Sequence, residues 1–220
     1  MLARLVVAVG LVAIAACQRT DAADKHVPVQ VGDKPIVEQA AVVTGSAQEQ
    51  EQTRFDNERR PEKIIEALAL HPGDRVADIG AGSGLLTIHL ARAVAPNGRV
   101  VATDIDGTVL DLLAQRLETA GLAELVERRV VGAETPGLEP NTYDAILLAE
   151  VDHYFTDPAS WLRTASAALK PGGRIVISNR VYHRAQSMAA AHKAGLVLKS
   201  ESNPDATRFI AVFGPPEKKS

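Results

Sequence analysis

A single cysteine, Cys17, in 220 residues excludes an intramolecular disulfide, so the fold must stand on its hydrophobic core alone. Aromatic residues make up 4% of the chain, too few for a platform on which nucleic-acid bases stack. Positive charge is thin as well. The 24 Lys and Arg against 27 Asp and Glu leave a formal charge of −3 with no basic block, which argues against DNA or RNA as a partner and favours a small or uncharged substrate. The longest apolar run, residues 5–16, falls short of the about 20 residues that a membrane-spanning helix needs. His71, His89, His153, His183 and His192 follow no metal-ligand spacing, so no metal site is expected. The 46% hydrophobic content is enough for one full α/β core.

The N-terminus stands apart. Arg4 precedes the apolar run, which ends Ile14-Ala15-Ala16-Cys17. This pattern resembles a bacterial lipoprotein signal, which implies cleavage after Ala16 and a lipid on Cys17. The implied location is the cell envelope, anchored on the periplasmic side, or the cytoplasm if the signal is not functional. Gln18 is not the aspartate that retains enterobacterial lipoproteins at the inner membrane, which tilts the expectation toward the outer membrane. Residues 18–52, rich in Ala, Gln and Glu with Pro28 and Pro35, read as a flexible tether, although the valines within 27–43 could also pack on the fold. Residues 53–214 form the expected domain and 215–220 a tail.

The most informative segment is residues 76–84, VADIGAGSG: an apolar strand that meets an acid and breaks into glycines at 80, 82 and 84 before an apolar helix. A dinucleotide fingerprint would place its third glycine where this chain has Leu85. Three more blocks follow in order. Residues 99–106, RVVATDID, read as a second buried strand ending on acids, with Asp104 at the distance beyond the glycines where such folds meet a ribose. Residues 143–158, YDAILLAEVDHYFTDP, and 169–178, LKPGGRIVIS, complete the set. Together the four blocks resemble the class I S-adenosylmethionine-dependent methyltransferases. The resemblance implies S-adenosylmethionine as cofactor, with Asp78, Gly80, Ala81 and Gly82 at its methionine part, Asp104 on the ribose hydroxyls, and Ile105, Glu134 and Glu150 completing the pocket. Many relatives carry Gly-Asp-Ala where this chain has Gly132-Ala133-Glu134, so Glu134 is expected to do the aspartate's work near the adenine or to be a solvated acid.

The alternation of strands and helices predicts a Rossmann-like, doubly wound α/β fold. The resemblance adds a seven-stranded, mostly parallel sheet with an antiparallel last strand, in the order 3-2-1-4-5-7-6. Helices are expected near 54–70, 85–94, 108–120, 159–169 and 184–194, and a terminal hairpin near 196–213 turning at Asn203-Pro204-Asp205.

Methyl transfer asks mainly for positioning, and for a base only if the nucleophile arrives protonated. The candidates lie past the fourth strand: His153 as base, Tyr154 to hydrogen-bond or stack on a small-molecule substrate, and Asp152 to orient His153. Covering the cofactor or supporting the loop is the simpler role for His153 and Tyr154. The short segment 179–183 leaves little room for a substrate-recognition insertion. An S-adenosyl-binding lipoprotein without catalysis is the alternative, since S-adenosylmethionine is made in the cytoplasm.

Overall fold

The computed structural model describes residues 45–216. Cys17, the signal-like segment, the tether as far as residue 44 and residues 217–220 lie outside the described residues. Seven strands form one sheet: β1 (Arg75–Ile79), β2 (Arg99–Asp104), β3 (Val126–Val130), β4 (Tyr143–Ala149), β5 (Leu169–Arg180), β6 (Val197–Asp205) and β7 (Arg208–Gly214), in the order β3-β2-β1-β4-β5-β7-β6. The pairs from β3 to β5 are parallel, and β7 runs antiparallel to both β5 and β6. This is the expected fold and strand order.

Strand periodicity sorts the core onto two faces. Along β4, Ile146 and Leu148 pack with Trp161 and Leu162 of α5 (Pro158–Ser166) and Ala190 of α6 (Arg184–Lys193). Ala145 and Leu147 pack instead with Ile64 and Leu68 of α2 (Pro61–Leu68), Leu90 of α3 (Thr87–Val94) and Leu113 and Leu117 of α4 (Gly107–Ala120). Two of the helices that start at the carboxyl ends of the strands, α4 and α5, are capped by aspartates. Asp106 accepts from the Thr108 N–H at 2.8 Å, and Asp157 accepts from the Ser160 N–H at 3.0 Å with Pro158 in the first helical turn.

Three local expectations need correction. The helix expected over 54–70 is two helices, α1 (Gly45–Arg59) and α2, broken at Arg60 with φ 49° and ψ 60°. Pro61 supplies no N–H and disfavours the right-handed helical region at the residue before it. Helix α1 also begins inside the stretch read as tether, so residues 45–52 are helical. Strand β6 continues through Asn203 and Pro204 as far as Asp205. A register shift between Ser202 and Asp205 and an edge position accommodate the proline, and the turn closes where Asp205 accepts from the Thr207 N–H at 2.6 Å.

Candidate active site

A cavity of about 280 Å³ opens at the carboxyl ends of β1, β2 and β4, where the strand order reverses between β1 and β4. Such a switch point is where open α/β sheets bind ligands. Gly80, Asp104, Ile105, Glu150 and Tyr154, all expected at the site, line it. Val131, Gly132, Ala133 and Thr135 form the wall beyond β3, and Phe155 stacked on Trp161 at 4.4 Å closes another side.

Each glycine of the turn after β1 answers a different demand. All three have positive φ, at 68°, 54° and 86° for Gly80, Gly82 and Gly84. A Cβ on Gly80 would lie 2.9 Å from the Val151 side chain, and one on Gly84 would lie 2.0 Å from Leu113 Cδ1, so Gly84 lets α4 approach the turn. Around Gly82 nothing lies within 4 Å of that position. Gly82 and Ala81 are not among the residues that line the cavity, which the turn meets at Gly80. Asp104 fastens the turn from β2: its Oδ2 accepts the Gly82 N–H at 2.9 Å and its Oδ1 the Asp106 N–H at 3.1 Å.

Asp78 lies beneath this turn rather than in the cavity wall. It is buried and accepts a hydrogen bond from the Thr87 hydroxyl at 2.7 Å. Burial pushes its carboxyl up from 3.8 to about 6; the Thr87 hydrogen bond works against this, and the neighbouring Asp104 charge adds to it. A folded-state pKa above the unfolded one means that the native state holds the extra proton between about pH 4 and 6, so this residue's stabilisation falls as pH rises through that window. Asp78→Asn is therefore expected to raise the melting temperature at pH 8, by a stability on the order of 1–3 kcal/mol, and to change little at pH 4. Thermal melts of both proteins at the two pH values check this.

The remaining expected residues divide. Glu134 is exposed and is not among the residues that line the cavity; its Oε1 accepts from the Thr156 N–H at 3.1 Å, which ties the loop after β3 to the loop after β4. His153 sits behind Tyr154, its ring 4.1 Å from the tyrosine's and stacked at 4.0 Å on His183. With Tyr182, 4.3 Å from His183, these rings form an aromatic row beside the cavity, and both tyrosines are 75% exposed. Asp152, expected to orient His153, is buried and is linked to it through Asn179 Nδ2, which contacts both. It accepts from Asn179 Nδ2 at 2.6 Å and from the Ser187 hydroxyl at 2.5 Å, locking the loop onto β5 and α6.

Helix α1 closes the cofactor side by polar contacts. Arg116, on α4 and buried, donates to the Ser83 carbonyl in the glycine turn at 3.0 Å and pairs with Glu51 at 2.5 Å. Gln52 donates to the Leu85 carbonyl at 2.9 Å. Arg59, at the end of the same helix, reaches Glu150 at 2.7 Å.

The donor set fits an S-adenosyl compound. Asp104 can accept from ribose hydroxyls, Ile105 offers an apolar lip that is 65% exposed, and two wall residues, Thr103 and Trp161, each bury a polar atom (Oγ1 and Nε1) with no partner. Asp104 places a carboxylate in the cavity wall, which suits a cationic ligand.

Fold, glycine turn and strand-end acid together are similar to those of the Rossmann-like S-adenosylmethionine-dependent methyltransferases. Residues 77–175 match the family described as methyltransferase domain. The chain is similar to the ubiquinone/menaquinone biosynthesis C-methyltransferase UbiE of Teredinibacter turnerae, 35% identical over 113 residues that cover 51% of this chain and 45% of that protein. The protein of the same name from Vibrio vulnificus is 31% identical over 154 residues, 67% of this chain and 59% of that one. The chain thus spans about half the length of these relatives. Among solved structures, an S-adenosylmethionine-dependent methyltransferase from Aquifex aeolicus superposes with a TM-score of 0.66 at 21% identity, over 74% of this chain and 96% of that one.

Proposed function

We propose that this protein transfers a methyl group from S-adenosylmethionine to a small aromatic acceptor held over the ends of β4 and β5. The observation that carries the reading is the cavity at the β1/β4 switch point, floored by the glycine turn and flanked by Asp104, with the aromatic row at its acceptor side. The likeness to C-methyltransferases of quinone biosynthesis supports an aromatic ring as acceptor. Bound S-adenosylmethionine supplies an electrophilic methyl group. Asp104, the turn and Ile105 hold the cofactor, Tyr154 and the His153–His183 pair position the acceptor, and Phe155 with Trp161 excludes water. The test is incubation of the purified full chain with methyl-labelled S-adenosylmethionine and a panel of phenols and quinols. Labelled product is the expected result, and its absence across the panel while the cofactor binds would favour a non-catalytic S-adenosyl-binding protein.

His153 acts in this reading as a hydrogen-bond donor. Asn179 Oδ1 accepts from the Arg180 N–H at 2.7 Å, which orients the amide so that its Nδ2 donates to Asp152 and, at 3.0 Å, to His153 Nδ1. With Nδ1 accepting, the neutral ring carries its proton on Nε2. Burial and the adjacent His183 hold the His153 pKa below its usual value, which keeps the ring neutral. A ring already protonated on its free nitrogen is a poor base there. His153→Ala is therefore expected to lower kcat by less than the about 10²- to 10⁴-fold that a general base contributes. A loss in that range at unchanged cofactor affinity would assign the base to His153.

The envelope location is proposed on the N-terminal pattern of Arg4, the apolar run and Cys17. Among the described residues no helix is long and apolar enough to cross a membrane. Cys17→Ser is expected to abolish incorporation of labelled palmitate in a bacterial host, because only the thiol can carry the diacylglyceryl group. Equal labelling of both proteins would remove the anchor.

A further inference from the structure

Glu150, the first residue after β4, lines the cavity and is held at φ 56°, a left-handed conformation uncommon for a residue with a side chain. Three guanidinium groups converge on its carboxylate. Arg59 Nη1, from the end of α1, lies 2.7 Å from Oε2; Arg180 Nε, at the end of β5, lies 3.1 Å from Oε1; and Arg208 Nε, at the start of β7, lies 3.7 Å from Oε1. Strand order brings these together, because the C-terminal ends of β4 and β5 and the N-terminal end of antiparallel β7 are neighbours.

The cluster carries more positive charge than its own acids neutralise. Besides Glu150 the carboxylate that meets it is Asp205, 3.1 Å from Arg208 Nη1, so three arginines face two acids. Arg59 and Arg208 are largely buried, with side chains 15% and 11% exposed, and the Nε–H of each is buried without a hydrogen-bond partner. An unpaired buried donor on a cation is costly, and a planar guanidinium fork matches an oxyanion well. Arg180, 40% exposed, leaves a way in from solvent.

We propose that Arg59, Arg180 and Arg208 form an oxyanion subsite that selects a methyl acceptor bearing one carboxylate or phosphate, with Glu150 as the internal carboxylate that the acceptor's anion joins or displaces. This rests on the methyltransferase reading and supplies the acceptor class that the reading leaves open. The net charge of −3 that favours an uncharged substrate is a property of the whole chain; at the acceptor side of this site the local sign is reversed. Helix α1 contributes Arg59 and also donates from Gln52 to the Leu85 carbonyl just past the glycine turn, so an acceptor anion bound there would help to hold this helix in place.

The test is calorimetry on the full chain saturated with S-adenosylhomocysteine, titrated with benzoate, phenyl phosphate and the neutral benzyl alcohol. At least one of the two anions should bind ten times or more as tightly as the alcohol, and which one wins assigns carboxylate or phosphate. Arg180→Gln should lower that anion's affinity about tenfold, and Glu150→Gln should raise it by removing the competing carboxylate. Binding of S-adenosylhomocysteine is measured first on every variant and reports folding of the site. Equal binding of alcohol and anions, or anion affinity unmoved by both substitutions, overturns the subsite. Failure of the wild type to bind S-adenosylhomocysteine overturns instead the methyltransferase reading beneath it.

Discussion

Gly82→Val should leave a folded protein that no longer binds S-adenosylmethionine or S-adenosylhomocysteine at millimolar concentration. The position is open, with no protein atom within 4 Å of an added Cβ, so the substitution meets no clash in the fold. What it meets is a φ of 54°, which costs a branched residue on the order of 1–2 kcal/mol, and the open side of the turn on which the cofactor is expected to approach the backbone. A melt lowered by a few degrees but still cooperative, together with loss of binding by calorimetry, is the expected pair of results. Retained binding would show that the cofactor does not approach this backbone. Gly84 provides the contrast, since its missing side chain makes room for Leu113 of α4 and not for a ligand.

Asp104→Ala carries the second large effect. A carboxylate that accepts from two hydroxyls contributes roughly 1.5–3 kcal/mol as a charged hydrogen bond, so binding should weaken by about tenfold to a few hundredfold. Asp104 also accepts the Gly82 and Asp106 N–H groups, so its loss frees the turn that floors the cavity and adds a modest stability cost. Asp104→Asn keeps one acceptor oxygen without the charge and should fall between wild type and alanine. Binding measured by calorimetry alongside a melt separates the two contributions. An affinity unchanged in the alanine variant would remove Asp104 from the ribose.

Much of this site is legible in the sequence because it is local. The glycine turn, the acid at the end of β2 and the Asp157-Pro158 helix start each follow from a few adjacent residues whose backbone needs are unusual. What escaped is what the topology assembles. His153 and His183 lie 30 positions apart in a chain where no metal spacing links them, yet β5 lying beside β4 stacks them. Arg180 and Arg208 carry no motif, and only the placement of β7 against β5 brings both to Glu150. Helix α1 gave no apolar period to read. Apart from Phe55, which packs on the core, it docks through the polar Glu51, Gln52 and Arg59, so its N-terminal part reads as tether. For Glu134 the sequence leaves two roles open, because a loop acid close to the expected adenine position is indistinguishable by sequence from one that accepts from the Thr156 N–H.

The central claim is that the β1/β4 cavity holds an S-adenosyl compound. Its most direct test is calorimetric titration of the purified full chain with S-adenosylmethionine, S-adenosylhomocysteine and NAD, accompanied by a thermal melt. Saturable binding of both S-adenosyl compounds and none of NAD is the expected result. A cooperative melt with no binding of either S-adenosyl compound at millimolar concentration would contradict the account.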